Sequence, residues 1–265
     1  MGKMEFVDWK FIHNNELKFN QEFNSKTPFR YLVIDNFLNP EIAEQLLLEF
    51  PQPDNIQWDA TTYINQKKKF QKASFPQGSL FNDLFQELNS QHTTGFLTTL
   101  SNIQNLVSDP QLFGAGLHQS IRGAFLDVHV DFNIHPQTKF YRRLNLLIFL
   151  NKNWKKEYEG FLELWDLKNN RCMEKISPDF NRCVIFETNE ISFHGHPAFL
   201  NTPDGVTRKS IATYFYTKET PAFAKNVNEH NSIFKNTEGM KGSSKNFLSG
   251  LIALRERILK RVQPH

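Results

Sequence analysis

His129 and Asp131 stand two residues apart in Gly123-Ala124-Phe125-Leu126-Asp127-Val128-His129-Val130-Asp131, a run that reads as a β-strand. Strand side chains alternate between faces, so the imidazole and the carboxylate share one face and Val130 takes the other. An imidazole beside a carboxylate is two thirds of a 2-His-1-carboxylate facial triad, which holds Fe(II) and leaves coordination positions open. The third ligand should come from a later strand. Ser192-Phe193-His194-Gly195-His196-Pro197 lies far enough beyond Asp131 for about four short strands. His194 precedes Gly195, where backbone can approach a metal or ligand closely. His196 precedes Pro197, which forces an extended or turn conformation at a strand end. His194, nearer the strand body, is the preferred ligand, with His196 as its competitor. His118 and His135 also fall nearby. His135, on the turn before Pro136, is expected at a pocket rim, because three ligands on one short segment would be strained around a metal. By itself a His-x-Asp pair is weak evidence, and simple pairing of His129 with Asp131 is the competing reading.

Thr207-Arg208-Lys209-Ser210-Ile211-Ala212-Thr213-Tyr214-Phe215-Tyr216 reads as a further strand. Arg208 and Ser210 then face one way and Lys209 the other. A guanidinium takes a carboxylate through two parallel N–H donors, and a serine hydroxyl can complete the grip. An inward Arg208 would be costly without an anion beside it. An Arg at an exposed strand end would need none.

The elements that must position these groups change character along the chain. Residues 1–28 are polar and are expected to lie on the outside or fray. Tyr31-Leu32-Val33-Ile34-Asp35 reads as a strand, and Asn39-Pro40-Glu41 as a helix start, with Asn as cap and Pro at the first helical position. Residues 51–78 look irregular, and the Lys67-Lys68-Lys69-Phe70-Gln71-Lys72 run reads as a solvated loop rather than a substrate-touching rim. Helical spacing recurs over residues 79–89 and 95–107. From Leu112 to Thr217 short β-rich runs alternate with turns: 116–121, 124–130, 144–150, 160–165, 171–176, 182–186 and 209–216. Such a series points to a sandwich or barrel. A polar tail follows, then an amphipathic helix over about 247–262, which could dock on the barrel or on a second subunit.

The 265 residues carry 31 basic and 28 acidic side chains, a near balance that argues against a nucleic-acid partner. Cys172 and Cys183 could pair but suggest neither a disulfide framework nor a zinc site. No apolar run follows Lys3, no stretch is long enough to span a bilayer, and Phe6 stands where a myristoylation signal needs Ser or Thr. A cytoplasmic protein without signal peptide or membrane segment is expected. Residues 1–265 are read as one domain: 1–111 as N-terminal helical and strand support, 112–217 as the core, and 218–265 as tail and helix.

In their order, His129-x-Asp131, Arg143-Leu144-Asn145-Leu146-Leu147-Ile148-Phe149-Leu150-Asn151, Gly160-Phe161-Leu162-Glu163-Leu164, His194 and Arg208-x-Ser210 resemble the Fe(II)- and 2-oxoglutarate-dependent dioxygenases, most closely their prolyl 4-hydroxylase-like branch. The resemblance covers about residues 116–217. It implies an α+β chain built on a double-stranded β-helix, a jelly-roll or cupin-like core, with flanking N-terminal helices and a C-terminal helix. It implies that His129, Asp131 and His194 bind Fe(II), and that Arg208 and Ser210 hold the far carboxylate of 2-oxoglutarate. It further implies consumption of O2, hydroxylation of an unactivated C–H bond, and ascorbate as a reductant for the iron. On this resemblance the expected substrate is a prolyl residue or a small amino-acid-like metabolite, and nothing outside the barrel distinguishes the two. The branch commonly carries a cosubstrate-bonding Tyr shortly before His-x-Asp; Phe125 and Leu126 stand there, leaving Tyr141, Asn145 and Tyr214 as candidates for that bond. Trp58, Tyr63, Lys67–Lys72 and the loop from Asn133 to Phe140 are placed near the mouth. A metal enzyme of another class using the same triad, or a non-catalytic binding barrel, would be the alternatives.

Overall fold

The computed structural model describes residues 5–54, 59–63 and 66–235, with backbone alone at 59–63, 67 and 68. In chain order the elements are α1 (Trp9–Ser25), β1 (Tyr31–Asp35), α2 (Pro40–Leu48), β2 (Asp59–Tyr63), β3 (Gln66–Lys72), α3 (Leu80–Leu88) and α4 (Gln91–Ser101). There follow β4 (Val107–Ser108), β5 (Gly116–Val130), β6 (Tyr141–Phe149), β7 (Leu162–Asp166), β8 (Arg171–Ile176), β9 (Arg182–Glu187), β10 (Phe193–His196), β11 (Arg208–Thr217) and β12 (Ile233–Phe234). The strands join one curled antiparallel sheet in the order β1-β9-β6-β11-β5-β10-β7-β8, with β3 and β12 also paired to β5, β2 to β3, and β4 to β11. This is the double-stranded β-helix expected from the sequence.

The β9 run Cys183-Val184-Ile185-Phe186 shows how the sheet is covered on both faces. Cys183 and Ile185 pack into the cluster that includes Ile12, Leu46, Leu84 and Leu97 from the helices. Val184 and Phe186 face the barrel interior with Phe149, Leu162 and Leu164. Strands buried on both sides read as continuous apolar runs, which is why periodicity alone could not orient this one.

Several expectations are corrected. Residues 9–25, within the stretch expected to lie outside or fray, form a helix: Asp8 caps α1 by accepting from the Phe11 N–H, and Trp9, Ile12, Phe19 and Phe23 are buried. The widely spaced apolar stripe hid this helix among polar residues. Asn39 does occupy the cap position of α2, but its side chain donates to the Glu5 carbonyl instead of capping. The region read as irregular holds the β2–β3 hairpin, so the lysine run is a strand paired to β5. The runs 116–121 and 124–130 form one strand, β5, bent at Gly123, whose φ of 78° suits glycine. The helix read over 95–107 begins at Gln91 instead and ends at left-handed Asn102. Cys172 and Cys183 are free thiols. The helix read over 247–262, and Trp58, lie outside the described residues. No described helix is long and apolar enough to cross a membrane.

Candidate metal and cosubstrate site

β10 pairs with β5 so that His194 lies opposite His129, but His196 lies opposite Leu126. Two steps along β10 match three along β5, so β5 carries one extra residue, a bulge at Asp127-Val128. The bulge changes which face each side chain takes, and both Leu126 and His129 reach the same cavity. Gly195 packs against that bulge. A Cβ there would meet the Leu126 and Asp127 carbonyl oxygens at 2.8 and 2.9 Å. The close approach inferred for Gly195 is therefore to β5 backbone.

His129, Asp131 and His194 each present a ligand atom, all within 4.8 Å of one another. Nε2 of His129 lies 3.6 Å from Asp131 Oδ1, and Nε2 of His194 lies 3.5 Å from Asp131 Oδ2. Nδ1 of His129 donates to the Asp127 carbonyl at 2.8 Å, and Nδ1 of His194 to the Ser192 carbonyl at 3.0 Å. A carbonyl only accepts, so each Nδ1 carries a proton, and in its neutral form each ring turns an Nε2 lone pair toward the shared centre. Burial draws the His194 pKa down to about 4 against the opposing pull of Asp131, which keeps that ring neutral.

Behind the carboxylate stands a pair of groups that the sequence reading did not assign to the metal site. Asn145 Nδ2 donates to Asp131 Oδ2 at 2.8 Å, and Arg142 Nη2 lies 3.1 Å from the same oxygen. Arg142 in turn donates to Asn145 Oδ1 through Nε and Nη2, at 2.9 and 2.7 Å. Its guanidinium lies 3.5 Å from the centroid of the Tyr214 ring and 4.6 Å from that of Phe132. Burial alone would raise the Asp131 pKa, but Arg142, then the two histidines, outweigh it and hold the carboxyl well below its ordinary value. Arg142 sits directly before the quoted 143–151 run; its three-residue spacing to Asn145 was the available signal.

Arg208 and Ser210 line the cavity that holds the triad. Arg208 Nε donates to the Gly160 carbonyl at 2.7 Å, and its guanidinium stacks 4.9 Å from the Phe149 ring centroid. Burial alone lowers its pKa to about 10, with no described carboxylate to offset it. A buried guanidinium without a counter-charge fits an anionic ligand. Lys209 points away and donates to Thr207 Oγ1.

Other candidates fall differently. Lys69, read as solvated, lines the same cavity, as do His118 and His196. Burial drives both histidines well below their ordinary pKa, and neither His118 Nε2 nor His196 Nδ1 finds a hydrogen-bond partner among the described residues. His135 is not at a rim: it is buried, its Nε2 3.3 Å from Asp109 Oδ2. Of the three candidates for a cosubstrate bond, Asn145 serves Asp131, Tyr214 donates to the Gly114 carbonyl, and Tyr141 lies outside the cavity, 3.5 Å from Glu190. β12 brings Phe234 opposite His129, ring centroids 5.0 Å apart, a contact no sequence motif announced.

Residues 115–216 match the family described as the 2OG-Fe(II) oxygenase superfamily. The chain is 25% identical over 199 residues to prolyl 3-hydroxylase OGFOD1 of Mus musculus; the match takes in 71% of this chain but 33% of that protein, so the chain spans about a third of the length of this curated relative. Its fold is similar to that of a prolyl hydroxylase solved with a hypoxia inducible factor peptide fragment, from Trichoplax adhaerens (TM-score 0.58, 17% identity, 80% of this chain and 94% of that one). It is similar also to a Pseudomonas putida prolyl-4-hydroxylase (TM-score 0.54, 15% identity, 75% and 98%). A His-Asp-His cluster, a buried arginine with no described carboxylate beside it in the same cavity and the family match over the strands that carry them agree with one another: residues 115–216 carry the features of the 2OG-Fe(II) oxygenase superfamily, on a fold similar to that of prolyl hydroxylases.

Proposed function

We propose that this chain is an Fe(II)- and 2-oxoglutarate-dependent hydroxylase acting on an unactivated C–H bond, with a prolyl residue in a peptide as the favoured substrate. The observation that carries the reading is the pairing of two Nε2 atoms and one carboxylate with Arg208, which meets no counter-charge among the described residues, in one cavity. His129, His194 and Asp131 would hold the iron. Arg208 and Ser210 would take the far carboxylate of 2-oxoglutarate. When bound, iron and cosubstrate supply the oxidising power that removes the hydrogen; the protein supplies an open face, fixed ligand orientation and shelter from water. The two backbone carbonyls fix the ring tautomers, and Arg142 with Asn145 keeps Asp131 ionised and aimed. The named activities of the relatives support the prolyl substrate, with a small amino-acid-like metabolite as the other class. A cytoplasmic site of action, ascorbate as reductant, no nucleic-acid partner and a C-terminal dimer contact complete the proposal.

Anaerobic titration with Fe(II), with and without 2-oxoglutarate, tests it. A weak visible charge-transfer band should grow only when both are present. Arg208→Ala should weaken 2-oxoglutarate binding by roughly 10- to 100-fold while iron still binds. His194→Ala should lose iron and His196→Ala should keep it. Absence of the band in the wild type, or the reverse pattern for the histidines, overturns the assignment.

A further inference from the structure

We propose that Lys69 is a second cation for the distal carboxylate of 2-oxoglutarate, gripping it together with Arg208. The inference deepens the cosubstrate reading above and rests on it. Lys69 of β3 and Arg208 of β11 both pair in register with Ser120 of β5, from its two sides. Residues directly opposite in a sheet project from the same face. Lys69, Ser120 and Arg208 therefore form a row across three strands, and Gln71, His118 and Ser210 form the next row. With strands about 4.8 Å apart, the two long side chains start about 10 Å from each other and can converge above Ser120. Lys69, His118, Ser120, Arg208 and Ser210 all line the cavity of the triad.

Charge balance makes the row a ligand site. The one carboxylate among the described cavity-lining residues is Asp131, which already faces Arg142. Neither Lys69 nor Arg208 has a described carboxylate at ion-pair distance; burial disfavours the charge on both, and for Lys69 the pull of Asp131 is opposed by Arg208 and Arg142. Two unmatched cations on one wall stay charged at small cost only if an anion bridges them. A dicarboxylate held at one end by the metal that the triad would carry would present its other end to this wall. Two cations on two different strands would also fix the direction of that carboxylate, which a single guanidinium cannot do as firmly.

The test compares 2-oxoglutarate with oxalate, which has no distal carboxylate, on the full chain loaded anaerobically with Fe(II). Dissociation constants are measured for wild type, Lys69→Gln and Lys69→Arg, with thermal melting to show that each variant folds. Lys69→Gln should weaken 2-oxoglutarate by roughly 10- to 100-fold, and Lys69→Arg should restore most of the affinity. Oxalate should bind all three alike. Unchanged 2-oxoglutarate affinity in Lys69→Gln overturns the proposal and leaves Lys69 to the primary substrate. Equal losses for oxalate and 2-oxoglutarate overturn it too, by placing the ammonium at the metal end. Failure of the underlying cosubstrate reading looks different: wild type itself would bind 2-oxoglutarate no more tightly than oxalate, and Arg208→Ala would change nothing.

Discussion

The smallest unit with a distinct role is the Arg142–Asn145–Asp131 chain. Each member satisfies the next: the guanidinium donates twice to the Asn145 amide oxygen, and the amide nitrogen donates to the carboxylate. Partners of this kind set the orientation and charge of a ligand without touching the metal, and their loss typically costs about 10–100-fold in metal affinity. Asn145→Leu should therefore weaken Fe(II) binding by roughly that factor, measured by anaerobic titration, while the ratio of 2-oxoglutarate to oxalate affinity stays constant. A change in that ratio would show that Asn145 meets the cosubstrate instead. The residue type was visible in the sequence, but its task was not, because an amide on β6, 14 residues from the carboxylate, can bond in many directions until packing selects one.

At the scale of elements, the site depends on a bulge and on a strand of four residues. β10 holds His194 and His196 on one face with Gly195 between them, pressed onto the bulge of β5. Gly195→Ala has no room for its methyl group between two backbone carbonyls, so β10 must shift. We expect a loss of about 1–3 kcal/mol in stability, read by urea denaturation, together with weaker Fe(II) binding. Unchanged iron affinity would mean that β10 can move without displacing His194. So short a strand is barely visible as a pattern, and the bulge leaves no mark at all, since it exists only as a mismatch of two partners. The β3 lysines mislead for a related reason. A charge run is normally solvated, and only pairing with β5 turns Lys69 inward.

For the whole molecule, the sheet needs its helical support before either wall of the cavity can be rigid. Glu87 on α3 ties the N-terminal segment to that support, accepting from the Phe6 and Val7 backbone N–H groups and from Trp9 Nε1. Glu87→Leu would strand these buried donors and should cost about 3 kcal/mol, seen in urea denaturation, with iron and 2-oxoglutarate affinities unchanged in the folded protein. A loss of affinity would reveal coupling between the helical layer and the site. The sequence by itself determined the chemistry on offer: the residue types, the two-residue spacings that put His129 beside Asp131 and Arg208 beside Ser210, and the succession of short strands that implied the barrel. Only the tertiary structure decided which histidines meet the carboxylate, which cation stands behind it, and which lysine enters the cavity. Spacing along a strand is a local property of the backbone, whereas register between strands far apart in sequence is settled by the packing of the entire sheet.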